Sequence, residues 1–367
     1  MNLQRIKINN FKNISDVKLD LSAKINCLVG DNGTGKTNFL DAIYYLAFTR
    51  SYFNHIDNQN IKHNENFFLV EGKFLKKDDI SSVKSSFSAE KGKTVKLNDK
   101  KHKKLSDHFG MFPVVMITPF DIDLILDGSE LRRNFIDSII AQYDREYLIS
   151  LINYKKSLLQ RNTLLKKFAE NSFFDKGMLE IWDYKLVELS PIIYNKRKAF
   201  FDEYIDIFDE YYKKISGTNE NVNIEYKSDL QESDIETILK NSLKKDLAIQ
   251  RTSAGIHKDD LIFTINGYQL KKTASQGQQK TFVTSLKFAQ TNFIKEHTGF
   301  RPILLLDDIF DKLDNNRVEN VVNLVSDNHF GQIFITHTDK EKLEEILKPA
   351  KVDFSIIEVD SGNFKTL

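Results

Sequence analysis

The sequence predicts an α/β fold in which one head domain is assembled from both ends of the chain and a helical arm is inserted between them. Three observations predict it. Apolar strand-like runs alternate with amphipathic helical stretches near both ends, the pattern of sheets covered by helices. The stretch from about Ser129 to Leu247 is helical in pattern. A glycine-rich turn, "GDNGTGKT" at 30–37, sits between an apolar run and a helix.

Residues 1–120 read as the first part of the head. "LQRIKI" and "KINCLVG" fit strands, and "GKTNFLDAIYYLAF" fits a helix. "NFFLVEGKFL", "SSVKSSFSAE" and "KTVKLN" fit short strands, and "PVVMITP", bounded by prolines, fits a buried one. Residues 121–250 read as the arm. Leu131, Phe135, Ile139, Tyr143, Tyr147 and Leu151 form one stripe of a first long helix. A second helical stretch holds the only tryptophan, Trp182. Within it Ser190-Pro191 predicts a fresh helix start, a cap followed by proline at the first helical position. The heptads are not sustained, so no long coiled-coil rod is expected. Residues 251–367 return to alternation. "LIFTING" and "YQLKKT" suggest a hairpin, and "RPILLLDD", "GQIFITHT" and "VDFSIIEVD" suggest strands. Helices are expected after 275, around 315–327 and around 339–348.

Bulk properties narrow the function classes. The 367 residues allow two or three domains, and 41% hydrophobic with 29% charged residues fits an ordinary soluble globular protein. Net charge is +1, so any nucleic-acid surface must be local. The lone Cys27 excludes an internal disulfide and a cysteine-rich metal site. The N-terminal stretch lacks the apolar core of a secretory signal, and no apolar run reaches membrane-spanning length. A cytoplasmic location is expected.

The turn at 30–37 matches G-x-x-x-x-G-K-[ST] in its required strand–loop–helix context. Gly30, Gly33 and Gly35 let the backbone curl so that N–H groups converge on phosphate oxygens. Lys36 supplies charge to the β- and γ-phosphates, and the Thr37 hydroxyl suits Mg²⁺. Asp31, Asn32 and Thr34 complete the candidate nucleoside triphosphate-binding turn, and Asn38 follows it. "ILLLDD" at 303–308 is an apolar strand ending in two aspartates. Ligands bind at the carboxyl ends of such strands. Asp307 is the candidate Mg²⁺ partner and Asp308 the candidate base, against the alternative of an Asp-rich turn after a core strand. In "TASQGQQKTFVTSLKFAQ" (273–290), Ser275 and Gln278 have capping-box spacing. Capping leaves Gly277 unexplained, since glycine in a helix costs about 1 kcal/mol against alanine. A second reading is a phosphate site at the helix N-terminus.

The order of these stretches, with "DKLD" (311–314) and "FITHT" (334–338) after them, resembles ATPases of the ABC and structural-maintenance-of-chromosomes type. More narrowly, the whole chain resembles the RecF family of bacterial DNA-repair ATPases. The stretches that carry this are "NFKN" (10–13), "GDNGTGKTNFLDAI" (30–43), "GSELRRNFID" (128–137), "GIHKDDL" (255–261), "ASQGQQKT" (274–281) and "LLLDDIFDKLD" (304–314). The resemblance implies an ABC-type P-loop ATPase head with an inserted helical arm. It implies ATP with Mg²⁺ and a slow DNA-dependent ATPase that dimerises on ATP. Lys36, Asp307 and Asp308 would be catalytic, and His337 a switch residue near the γ-phosphate. Ser275, Gln276 and Gly277, with Asp311 and Asp314, would form the dimer interface, Ser275, Gly277 and Gln278 meeting ATP held by a second copy. Implied partners are gapped, double-stranded and single-stranded DNA without sequence preference, and RecR, RecO and RecA. Lys12 and Lys258 stand where relatives often carry arginine, Phe53 where an arginine is common and Phe120 where an acid is common.

The residues themselves offer several basic stretches for DNA. "KGKTVKLNDKKHKKL" (91–105) carries Lys91, Lys93, Lys96, Lys100, Lys101, Lys103 and Lys104, readable as a DNA face or as a hairpin made soluble by lysines. "LRRNF" and "NKRKAFF" are further candidates. An ATPase subunit of another ABC-type assembly is the competing reading. The long helical block and the amide-rich "SQGQQ" argue against a transporter.

Overall fold

The computed structural model describes residues 1–310, 314–326, 330–348 and 353–367. The chain first forms β1 (Asn2–Phe11), β2 (Ile14–Asp20), β3 (Ile25–Val29), α1 (Lys36–Phe48), β4 (Phe67–Lys76), β5 (Asp79–Ser88), β6 (Gly92–Leu97), β7 (Lys100–Lys101) and β8 (Val114–Ile117). Then come α2 (Asp123–Leu126), α3 (Ser129–Tyr143), α4 (Arg145–Glu170), α5 (Lys176–Ser216), β9 (Val222–Lys227), α6 (Ile235–Ile249), β10 (Asp260–Ile265), β11 (Tyr268–Gln269) and α7 (Leu270–Thr273). The last set is α8 (Gln276–Thr298), β12 (Ile303–Leu306), α9 (Asn315–Ser326), β13 (Ile333–His337), α10 (Lys340–Leu347), β14 (Phe354–Asp360) and β15 (Asn363–Thr366). Two compact units result: Met1–Ile122 with Glu210–Asn219 and Ser275–Leu367, and Asp123–Asp209 with Glu220–Ala274.

The first unit holds two six-stranded sheets. One is antiparallel, in the order β2-β1-β4-β5-β6-β7. The other runs β15-β14-β3-β13-β12-β8, parallel except for the edge strand β15. α1 is buried along most of its length, and its core joins Ile6, Ile8 and Val70 of the first sheet to Leu28, Leu305 and Phe334 of the second. That explains its near-continuous apolar sequence, which a surface helix would not have. β12 is four buried apolar residues, as a strand covered on both faces requires. α8 buries Phe282, Leu286, Ala289 and Phe293 at helical spacing. Its Lys287 is also buried. The ammonium meets Asp121 at 2.8 Å, the Tyr52 hydroxyl at 3.0 Å and the Met116 carbonyl at 3.1 Å. A buried cation held this way fixes the helix to the end of β8, because removing one partner would strand the other charge.

The second unit departs from the sequence reading at three places. The single stripe through Leu131 and Leu151 is two helices, broken at Asp144, whose carboxylate caps α4 by accepting from Tyr147 N–H at 2.9 Å. Ser190-Pro191 starts nothing. α5 runs through both, and the Ser190 hydroxyl donates back to the Leu186 carbonyl at 2.6 Å. β10 and β11 form the expected hairpin, in a three-stranded sheet with β9 of this unit, but "YQLKKT" gives only a two-residue strand followed by a helical turn.

Polar clusters bind the unit internally. Arg197, 2% exposed, reaches Asp137 at 2.8 Å and Asp259 at 2.6 Å. Arg161 joins Asp183 at 2.6 Å and Asp246 at 2.7 Å. Arg132 makes a two-pronged contact with Asp260 at 2.7 and 3.1 Å, and Arg133 donates to the Asp259 carbonyl at 2.7 Å. The arginines of "LRRNF" and "NKRKAFF" therefore spend their donors inside the fold. That corrects their candidacy as DNA contacts.

Candidate functional site

β3, β13 and β12 are neighbours and parallel, so their carboxyl ends open on one edge of the sheet. The phosphate-loop turn follows β3, His337 ends β13 opposite Val29, and Asp307 and Asp308 follow β12. This is where ligands of open parallel sheets bind.

The loop is shaped by what surrounds it. A Cβ on Gly30 would lie 2.1 Å from the Val359 carbonyl oxygen, so only glycine fits. Gly33 has φ 80° and Gly35 φ 118°, the left-handed region that favours glycine. The Gly362 N–H donates to the Thr34 carbonyl at 2.8 Å, so β14 and the turn after it brace the loop from one side. Asn13 braces it from another. Its amide donates to the Gly33 carbonyl at 3.2 Å, and its oxygen accepts from Asn38 at 2.8 Å. The Lys36 ammonium is buried and lies on the Gly30 and Asp31 carbonyls at 2.7 and 2.9 Å. Asp31, Asn32 and Gly33 face solvent.

The acidic pair is tied to the loop. The Thr37 hydroxyl donates to Asp307 Oδ1 at 2.9 Å. Thr336 of β13 sends its hydroxyl to the same oxygen at 2.9 Å and accepts from the Asp308 N–H at 2.9 Å. Burial pushes the Asp307 carboxyl up to about 6, against the pull of the two threonine hydroxyls. Asp308 holds φ 46°, a strained conformation for a residue with a side chain, and strain of this kind clusters at active sites. His337 is 1% exposed, and its Nδ1 lies 2.9 Å from the Asp339 N–H.

The turn before α8 is a capping box. Gln278 N–H donates to Ser275 Oγ at 3.3 Å, and Ser275 N–H donates to Gln278 Oε1 at 2.8 Å. Gly277 brings the turn against the tip of a flexible side chain, which could move aside for a larger residue. A Cβ there would stand 2.6 Å from Arg317 Nη1. Arg317 lies on α9 and is held by Asp314 at 2.8 Å, while Asp314 also accepts from the Arg317 N–H. Gln276 and Asp308 line one cavity of about 250 Å³, together with Thr118, Lys280 and Thr284, and no residue of 30–38 lines it. Within one chain, then, the loop and the acidic pair meet directly, and the "SQGQQ" turn shares only this cavity with Asp308. Asp311 lies outside the described residues.

Asn13, Thr336 and Arg317 were not singled out from the sequence. The first two sit inside quoted stretches, "NFKN" and "FITHT", but their roles depend on strands that meet only in the fold. Lys12 is spoken for: it pairs with the buried Asp41 at 2.5 Å and lies 5.2 Å from the Phe53 ring.

With this geometry in place, comparison with known proteins is decisive. Residues 2–358 match the RecF/RecN/SMC N-terminal domain model. The DNA replication and repair protein RecF of Flavobacterium johnsoniae is 47% identical over 97% of this chain and 99% of its own. The chain belongs to the RecF family. The RecF of Bacteroides thetaiotaomicron is 42% identical over 99% of this chain and 98% of its own. A solved structure of the recombination mediator protein RecF with ATP, in the RecFOR pathway, superposes with a TM-score of 0.90 at 30% identity, covering 100% of this chain and 97% of that one. A solved Smc head bound to a winged-helix domain of ScpA gives a TM-score of 0.61 at 14% identity, which speaks to fold alone. The chain thus has the ABC-type ATPase head fold of the RecF and SMC proteins, with the helical insertion as its second unit. No described helix is long and apolar enough to cross a membrane.

Proposed function

We propose that this RecF-family chain is an ATP-driven DNA-binding protein of recombinational repair and replication restart. In this reading ATP closes two copies on gapped duplex DNA, helping RecO and RecR load RecA, and slow hydrolysis reopens them. The observation that carries it is the hydrogen-bonded chain from Thr37 through Asp307 and Thr336 to Asp308, set at the strand ends beside the phosphate loop.

Residues 30–38 would cradle the triphosphate, with Lys36 moving from loop carbonyls to the β- and γ-phosphates. Thr37 and Asp307 fit Mg²⁺, since both offer hard oxygens within one hydrogen bond of each other, and no larger cluster of acidic or His ligands exists among the described residues. Mg²⁺ usually takes one or two protein ligands, with phosphate oxygens and water completing its shell. When bound it neutralises charge on the β- and γ-oxygens. Asp308 would orient the attacking water and accept its proton, and His337 would sense the γ-phosphate. Ser275, Gln276 and Gly277 of a second copy, with Gln278 as cap, would meet that phosphate from across the interface, flanked by Asp311 and Asp314. A phosphate gripped from both sides stabilises the closed dimer only until it is cleaved, so hydrolysis is the release step.

Sedimentation with and without ATP and gapped duplex tests this. The wild type should dimerise with ATP, and Lys36→Ala should stay monomeric. A mixture of Lys36→Ala and Ser275→Arg chains should recover one working site per mixed dimer. An ATP-dependent dimer formed by Lys36→Ala, or no recovery in the mixture, would sink the composite site.

A further inference from the structure

The antiparallel sheet of the first unit carries charge in a line. Its strand registers make Lys18, Lys7, Glu71, Lys84, Lys96 and Lys101 consecutive neighbours, one on each strand from β2 to β7. Side chains opposite one another across strands project from the same face. The alternate residues, including Ile6, Ile8, Val70, Val83 and Val95, are buried on the other face. At about 4.8 Å between strands, the row spans roughly 24 Å. One row thus gathers five lysines and one glutamate in a chain whose net charge is only +1.

The arrangement opposes stability. Lys18 faces Lys7, Lys84 faces Lys96, and Lys96 faces Lys101. Like charges directly opposite across strands are destabilising, and a glutamate at any of these places would turn repulsion into attraction. Glu71 does so once, meeting Lys84 at 3.7 Å. In the adjacent row Arg5 lies opposite Lys73 but is paired on its other side with Asp20 at 2.5 Å. Lysines placed for solubility need no register. A row in register fits a ligand with charges in a row.

We infer that this ladder is a track for the phosphate backbone of duplex DNA, an inference that rests on the DNA-binding reading above and locates its surface. The row holds no aromatic side chain on which a base could stack and no apolar one to enter a lipid layer, which favours a backbone of regular phosphates. About 24 Å corresponds to roughly seven base pairs of duplex at 3.4 Å each. The register also sorts the lysine-rich stretch 91–105. Lys96 and Lys101 belong to the ladder, whereas Lys93 is turned inward to Asp57 at 2.7 Å and the Thr49 carbonyl at 2.6 Å.

The test is a salt titration of the full chain with ATP and a fluorescein-labelled duplex, read by anisotropy. Each phosphate contact contributes about 0.9 to the slope of log affinity against log salt, so Lys96→Gln/Lys101→Gln should lower the slope by about 1.8. Lys96→Arg/Lys101→Arg should keep the wild-type slope. The glutamine variant should also unfold at a higher urea concentration than wild type, which shows that weaker binding is not misfolding. A glutamine variant that binds with unchanged slope and affinity overturns the ladder and leaves the DNA-binding reading intact. A wild type that ignores duplex, or prefers anionic vesicles to it, overturns both.

Discussion

Gly30 and Gly33 look alike in the motif but are constrained differently. At Gly30 a methyl group would collide with the backbone of Val359, which cannot swing away as a side chain could. At Gly33 a methyl group meets nothing within 4 Å, and only φ 80° opposes it. Gly33→Ala should therefore destabilise by about 1 kcal/mol, the ordinary left-handed penalty. Gly30→Ala should exceed that and also weaken nucleotide binding, because the loop or β14 must shift; urea unfolding and a nucleotide titration read both. Equal effects of the two changes would contradict the close packing. Asp308 makes a second residue-scale prediction. If it serves the attacking water, Asp308→Asn should leave ATP binding in place and lengthen the life of the ATP-bound dimer on DNA. A dwell time like that of wild type would mean that hydrolysis does not time release.

Among elements, the strands and helices nearest the nucleotide loop were readable because their signals are local. A strand, a glycine turn and a helix occupy one short window, and four apolar residues before two aspartates leave little choice. The arm misled for a reason that is also local. Asp144 sits in an unbroken apolar stripe, and nothing in the spacing says that it caps a new helix. Ser190-Pro191 has the letters of a helix start, yet the helix continues, since the packing of Leu186, Leu189 and Ile193 on one buried face outweighs one missing backbone hydrogen bond. Pro191 itself is exposed. Pro191→Ala should thus stabilise the protein by about 1–3 kcal/mol by restoring that bond, measured by urea unfolding, and a loss of stability would mean the proline shapes α5. Arg317 beside Gly277 and the lysine ladder were invisible for a different reason. Both exist only through pairings between distant segments, and a single sequence carries no register.

For the molecule as a whole, acid is the informative stress. His108 is fully buried, and its Nε2–H donates to the Leu46 carbonyl at 2.6 Å. Burial lowers its pKa from 6.5 to about 4. The unfolded chain therefore takes up the proton first as pH falls. Stability from this site is complete above 6.5 and drains away toward pH 4, by up to about 3 kcal/mol at 1.36 kcal/mol per unit. His108→Gln should flatten that part of the stability profile, and an unchanged slope would exclude His108 as its source. The order of the chain matters at this scale too. The strand that presses on Gly30, and the turn that hydrogen-bonds Thr34, come from the far end of the polypeptide. A ribosome that has finished the glycine loop has not yet made its brace, so the loop of the nascent chain stays unbraced until residues 359–362 emerge. A late stop codon should accordingly behave, in a genetic screen, like a lesion in the loop itself.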